Sequence, residues 1–327
     1  MTPISPNPLI SIVVPCHDHG SYVREAIESV LSQDYPRVEL IVLDDGSSDD
    51  TRAVLAGYTG RFHCESHANI GQAETLNKGW AMSKGELLGY LSADDFLLPS
   101  AVSRSVEELI ARPEIVLTYC DFNHVDSNSR VLRRVRTPEF SYRDLAVKMI
   151  CQPGPGAFFR RDAFERAGFW NGKLRQIPDY EYWLRLGLEG KFARIPEVLA
   201  SYRVHAGSQS FAPVDSSRAE ETVNVVSAYF RDHRIPPEIV QAEREARSNA
   251  HIIAAKLHLG SRRYRAALTH MNQAFGLHPR NYLHLRTWRL TANALFSKIG
   301  TRVFWRLNRT LSPRSKADRT AKPSRSA

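Results

Sequence analysis

The 327-residue chain lacks any apolar run approaching the roughly 18 to 20 residues that cross a bilayer, which excludes a membrane-spanning helix. Cysteine is sparse. Cys16, Cys64, Cys120 and Cys151 are scattered without C-x-x-C spacing, which argues against a zinc site or a disulfide framework and fits a reducing compartment. Met1 to Pro8 has neither a basic n-region nor an apolar h-region, so no signal peptide and a cytoplasmic location are expected. Neither G-x-G-x-x-G nor G-x-x-x-x-G-K-[ST] follows any predicted strand, which sets aside a Rossmann dehydrogenase and a P-loop NTPase. Acid is scarce at one end. From Arg280 onward twelve Lys and Arg face a single Asp318, so the net charge of +9 belongs to the tail and the preceding residues sum to −2. A near-neutral main body speaks against a nucleic-acid-binding fold, which would carry its charge on the folded face.

What is present is the composition of an ordinary soluble protein, 43% hydrophobic and 24% charged, with length enough for one large domain and a smaller appendage. Ile10 to Cys16 is a β-branched run that predicts a buried parallel strand. A turn at His17-Asp18-His19-Gly20 follows, then Tyr22, Ala26, Ile27, Val30 and Leu31 at helical spacing. Further strands are predicted at Val38 to Leu43, Phe62 to Ser66, Leu87 to Leu91 and Ile115 to Cys120. Helices are predicted at Asp50 to Tyr58, within Asn69 to Met82, and at Ala101 to Ile110. Strands alternating with helices of about a dozen residues define an α/β class, a doubly wound and mostly parallel sheet.

On such a sheet, ligands bind at the carboxyl ends of the strands. Three acidic strand ends fall there: Asp18, Asp44-Asp45 and Asp94-Asp95. Adjacent carboxylates repel one another and gain from a divalent cation or a ligand donor between them. An acidic edge without a glycine cradle points to phosphates held through a metal, as nucleotide-sugar enzymes hold them.

The segments VPCHDHGSYVREAIESVLSQDYPRVELIVLDDGSSDDT, NIGQAETLNKG and LSADD resemble the N-terminal half of family 2 glycosyltransferases of the GT-A fold, over roughly residues 8–210. The resemblance implies that the backbone near Pro15 and the side chain of Asp45 contact the nucleotide base and ribose. Asp18 joins that nucleotide-sugar set, although His17-Asp18 stands where the family has Tyr-Asn. Asp94 would lie near the ribose and diphosphate, and Asp95 would bind the divalent metal, Mn2+ or Mg2+. Asn69, Gly71 and Asn77 match a family Asn-Gly-Asn pattern, as a pocket floor or as plain structure.

Farther along, Cys151 to Arg161 (CQPGPGAFFRR) is a Pro/Gly loop entering an apolar strand. It reads either as a rigid connection or, by the resemblance, as a wall of the acceptor pocket at Gly154, Gly156 and Phe158. Pro178-Asp179 starts a helix matching the family's E-D-Y-x-x-W-L-R-L, in which the Asp is the catalytic base. That role falls on Asp179 rather than Glu181, with Pro178 where Glu is usual. Tyr202-Arg203-Val204-His205 resembles the family's Y-R-x-H, which makes His205 a second metal ligand or a diphosphate contact; its imidazole favours Mn2+. The implied function is inverting, metal-dependent transfer from a nucleotide-sugar, a UDP-sugar foremost, to a hydroxyl of a glycan or lipid-linked glycan. A catalytically silent sugar-nucleotide-binding or scaffold protein acting through its C-terminus is the alternative.

Beyond residue 210 the expectation is a helical extension over 211–311. Ala254 to Pro279 has the spacing of one tetratricopeptide unit, too few to stack as a solenoid. Tyr282 to Leu311 interleaves aromatic and basic residues. It reads as a helix lying on an anionic membrane surface at the cytoplasmic side, or as a core helix with a solvated basic face. Residues 312–327 are polar and basic, and disorder is expected there.

Overall fold

A computed structural model of the chain describes residues 4–205 and 213–296. Its centre is β1 (Ile10–Cys16), buried along its whole length. Ile10, Ile12, Val14 and Cys16 enter the core on one face, whereas Val13 enters the core on the other. The next strand, β2 (Val38–Asp45), divides the same way, with Leu40 and Val42 on one side and Ile41 and Leu43 on the other. Successive strand side chains point to opposite faces, so a continuous apolar run needs cover on both. Helices α1 (Val23–Leu31), α2 (Thr51–Ala56) and α4 (Ala101–Ala111) cover one face. On the other lie α3 (Gln72–Met82), α6 (Arg161–Ala167) and α7 (Pro178–Glu189). Trp80 of α3 is fully buried there and donates its indole N–H to the Gly89 carbonyl at 3.1 Å.

Together with β3 (His63–His67) and β4 (Leu87–Tyr90), these strands pair in parallel in the order β3-β2-β1-β4. The second half departs from a uniform parallel sheet. After β4 come β8 (Phe158–Arg160), β6 (Ile115–Val125), β9 (Lys191–Arg203) and the two-residue β5 (Phe96–Leu97), while β7 (Val131–Val135) pairs with β6. β8 is antiparallel to both β4 and β6, and β9 is parallel to β6. Two strands run farther than their apolar residues predict: β2 through Asp44-Asp45, and β6 to Val125 beyond Cys120. In both cases ladder bonds to neighbours carry polar residues into the strand. The turn after β4 closes through Asp95 N–H to the Ser92 carbonyl at 3.0 Å, and β5 intervenes before α4.

The extension is helical, as expected, with α8 (Ser216–Tyr229), α9 (Pro237–Val240), α10 (Glu243–Gly260), α11 (Tyr264–Leu277) and α12 (Leu285–Phe296). Within the extension, residues 237–260 form two helices, α9 and α10, rather than one. α10 and α11 form a hairpin, tied by Ser248 Oγ to the Ala274 carbonyl at 2.8 Å. Val225, Val226 and Tyr229 of α8 and Ala246 and Ala250 of α10 belong to the same core cluster as Trp80 and Trp183. The short α5 (Tyr142–Ala146) is clamped between them, the Tyr142 and Tyr229 hydroxyls lying 2.8 Å apart. The extension and the α/β body therefore share one core. Among the described residues no helix is long and apolar enough to cross a membrane. Residues 297–311 of the predicted basic helix and the expected disordered tail lie outside the described residues.

Candidate active site

The carboxyl ends of β1, β2 and β4 present the loops that the acidic motifs predicted, and the loops are knitted to one another. Asp18, in the left-handed region at φ 54°, accepts the N–H groups of Ser48 (2.7 Å) and Asp49 (3.3 Å). Asp49 in turn accepts from Gly20 N–H at 2.9 Å. Asp45 is buried and accepts the N–H groups of Ile70 (2.6 Å) and Gly71 (2.9 Å). Both carboxylates thus hold loop backbone in place. Pro15 is buried within β1, opposite Leu43. The side-chain amide of Asn77 exchanges two hydrogen bonds with the Trp170 backbone, at 2.8 and 2.9 Å, which gives it a structural task.

Asp94 and Asp95 point apart. Asp95 is buried and accepts the Arg203 N–H at 2.8 Å, and burial together with the Asp94 charge raises its carboxyl well above the usual range. Asp94 turns to the open side, where its Oδ2 lies 3.1 Å from His205 Nε2 and 4.0 Å from His19 Nε2. The ligand atoms of His19, Asp94 and His205 all lie within 4.8 Å of one another. The sequence assigned the metal to Asp95 and His205; the structure brings Asp94, not Asp95, to His205. Within a tight turn adjacent residues have no fixed periodicity, and here the buried Arg203 decides which carboxylate is taken inward. Its Nε also donates to the Asp94 carbonyl at 2.7 Å, and its guanidinium reaches Glu25 and Ser129.

One carboxylate oxygen beside imidazole nitrogens is a donor set that suits Mn2+ better than Mg2+. The His17 N–H donates to His19 Nδ1 at 3.3 Å, which leaves the ring proton on Nε2, facing Asp94. Burial holds the His19 imidazole below its ordinary pKa, so it is a neutral N–H donor near pH 7.

Asp179 occupies the first turn of α7, directly after Pro178. Burial raises its carboxyl above the ordinary range, opposed by the N–H groups of its own helix start. Glu181, the other acid of that turn, is taken up by Arg185 in a two-pronged pair at 2.7 and 2.8 Å. Tyr90 ends β4. Its hydroxyl is pushed well above its ordinary pKa, first by burial and then by Asp179, Cys151, Asp95 and Tyr202 around it. Glu221 on α8 was not foreseen. It accepts the N–H groups of Arg175 (2.9 Å), Gln176 (2.7 Å) and Ile177 (3.3 Å), the turn that launches α7.

The acceptor-side prediction is corrected in part. Phe158 is 1% exposed, in the middle of the sheet opposite Gly89 and Thr118, so it is a core residue and cannot wall an open pocket. Gly156, at φ 76°, is buried against Cys120 and Ala200, where a Cβ would come within 3.2 Å of both. Gly154 is partly exposed and packs on Phe122.

A second His/Glu group, Glu220, His258 and His270, lies in the extension. Arg263 Nε donates to His258 Nδ1 at 2.8 Å, so His258 Nε2 carries a proton toward Glu220 Oε1 at 3.2 Å. His270 Nε2 reaches the same oxygen at 2.9 Å. Hydrogen bonds satisfy this group without an ion.

The fold, a mostly parallel sheet covered by helices with a helical extension, is of the GT-A type. Among solved structures the chain is similar to Staphylococcus aureus TarS 1–349 in complex with UDP-GlcNAc, with a TM-score of 0.58 and 14% identity over 84% of this chain and 92% of that one. It is also similar to the mannosyltransferase PcManGT of Pyrobaculum calidifontis in complex with GDP-Man and Mn2+, with a TM-score of 0.59 and 19% identity over 95% and 86%. Residues 11–168, just under half of the chain, match the sequence model of Glycosyl transferase family 2. Relatives include an uncharacterized glycosyltransferase of Rickettsia typhi, 30% identical over 61% of this chain and 65% of its own length. The chondroitin synthase of Pasteurella multocida is 28% identical over 67% of this chain and 23% of its own length. The chain thus spans less than two thirds of either relative.

Proposed function

We propose that the protein transfers a sugar from a nucleotide-sugar to a hydroxyl of a glycan or lipid-linked glycan, in one inverting step. The observation that supports the reading is the His19, Asp94 and His205 group beyond the carboxyl end of β4, with Tyr90 of that strand raised in pKa by burial and by the Asp179 charge.

Asp94 and His205 would hold the divalent cation, Mn2+ by preference. When bound, the cation neutralises charge that grows on the departing diphosphate. His19 donates its Nε2 proton to the diphosphate. Asp45 and Asp18 act through the loops they order, which shape the pocket for the base and ribose of a UDP-sugar. Asp179 removes the proton of the acceptor hydroxyl as that oxygen bonds to the anomeric carbon and the bond to the diphosphate breaks. Partial burial makes its ionised form a stronger base than a solvated carboxylate. Glu181 cannot replace it while Arg185 holds both of its oxygens.

The test is turnover of Asp179→Asn beside its donor affinity. A loss of about 10²-fold to 10⁴-fold in kcat with donor binding intact is expected. Near-normal turnover would remove Asp179 from the base role.

A further inference from the structure

Between Glu245 and Asp318 the chain contains no Asp or Glu, whereas fourteen Lys and Arg fall in the same interval. Its described part folds as α10, α11, a 3₁₀ turn (Pro279–Leu283) and α12. α11 buries Ala267, His270 and Ala274 against its neighbours. Its opposite face exposes Tyr264, Leu268 and Phe275, spaced at i, i+4 and i+11 along one stripe. The stripe continues off the helix. The Phe275 and Tyr282 rings meet edge to face at 5.5 Å, and Tyr282 meets Trp288 at 6.0 Å. Trp288 is anchored by its indole N–H to the Tyr282 carbonyl at 2.8 Å. Leu283 and Leu285 then stand out at 84% and 81% exposure. Arg262, Arg265, Arg280 and Arg289 are exposed around them.

Large aliphatic and aromatic side chains gathered in the open, with cations around them on a stretch of chain that carries no acid, mark an interaction surface rather than scattered surface leucines. Charge selects the occupant. A second copy meeting this face with its own would set positive against positive. Residues 297–327 carry nine Lys and Arg against Asp318, so they match the face in sign and do not complement it. A polyanionic nucleic acid would satisfy the arginines and leave Leu268, Leu283 and Leu285 in water. Lipid headgroups satisfy the arginines while the acyl boundary takes the leucines and the aromatic rings.

We propose that the α11 face, continued by the turn and the start of α12, docks the protein on an anionic lipid surface. The inference is independent of the donor-site reading. It differs from the basic helix anticipated at 282–311 by making α11 the central element.

The test is co-sedimentation of the full chain with phosphatidylcholine vesicles, with and without phosphatidylglycerol. Two paired variants, L268E/F275E and R262E/R265E, are compared with wild type, with Tm and far-ultraviolet circular dichroism as controls for folding. Binding only to the anionic vesicles, weakening with salt, and reduced about tenfold or more by either pair is the expected result. Binding left intact by both pairs, or no binding by a folded wild type, overturns the proposal. So does a concentration-dependent oligomer that the same variants abolish.

Discussion

The Glu221 carboxylate on α8 accepts the Gln176 N–H at 2.7 Å, two residues before the proline that opens α7. With the Arg175 and Ile177 N–H groups it closes a three-bond clamp from the C-terminal extension onto the turn that carries Asp179. Glu221→Ala is expected to lower kcat about tenfold, since bonds to a charged acceptor are each worth about 1.5–3 kcal/mol and their loss frees the base. Glu221→Gln, keeping one acceptor oxygen, should recover part of the rate. Steady-state kinetics beside donor affinity tests this; equal loss of folded protein and of rate would reduce Glu221 to a purely structural part.

Asp179 also makes a pH prediction whose sign is fixed by its raised pKa. The base works ionised, so kcat falls as pH drops through a value above the ordinary carboxylate range. A folded-state pKa above the unfolded one means that the stability contribution is intact below the unfolded pKa. It is lost as pH rises through the folded one. Asp179→Asn should therefore melt at a higher temperature than wild type near pH 7, with the gap closing toward pH 3. Scanning calorimetry across that range checks it, and an Asn variant less stable at pH 7 contradicts the burial argument.

The two histidines beside Asp94 separate by role. His205→Ala is expected to weaken Mn2+ binding in the absence of donor by on the order of tenfold or more, followed by electron paramagnetic resonance. His19→Ala should leave that Mn2+ affinity unchanged and weaken nucleotide-sugar binding instead. Equal losses of Mn2+ in both variants would make His19 a metal ligand.

Phe158→Ala is expected to cost about 3–5 kcal/mol of stability through the cavity it leaves in the sheet's core. Urea denaturation measures the cost. An acceptor KM shift without that destabilisation would restore the pocket-wall reading.

The parallel half of the fold was legible because strands buried on both faces leave unbroken apolar runs, as Ile10 to Cys16 and Val38 to Leu43 do. The antiparallel insertion of β8 was not. A short run such as Ala157-Phe158-Phe159 carries no sign of its partners, so a core strand passed for a pocket wall. At the site, local patterns pointed to Asp94-Asp95 and Asp179 as candidates, but could not tell which of two adjacent carboxylates turns toward His205. That depends on Arg203, 108 residues away from Asp95. His19 had a visible signal, a second histidine flanking Asp18 at a strand end. Glu221 had none, because its target lies 45 residues earlier in the chain.

The most direct test of the account is calorimetric titration of UDP- and GDP-sugars, each with and without Mn2+, into wild type, Asp94→Ala and Asp95→Asn. The account predicts Mn2+-dependent binding of one nucleotide class, abolished in Asp94→Ala and retained in folded Asp95→Asn. Binding that ignores Mn2+, or that survives in Asp94→Ala, would contradict it.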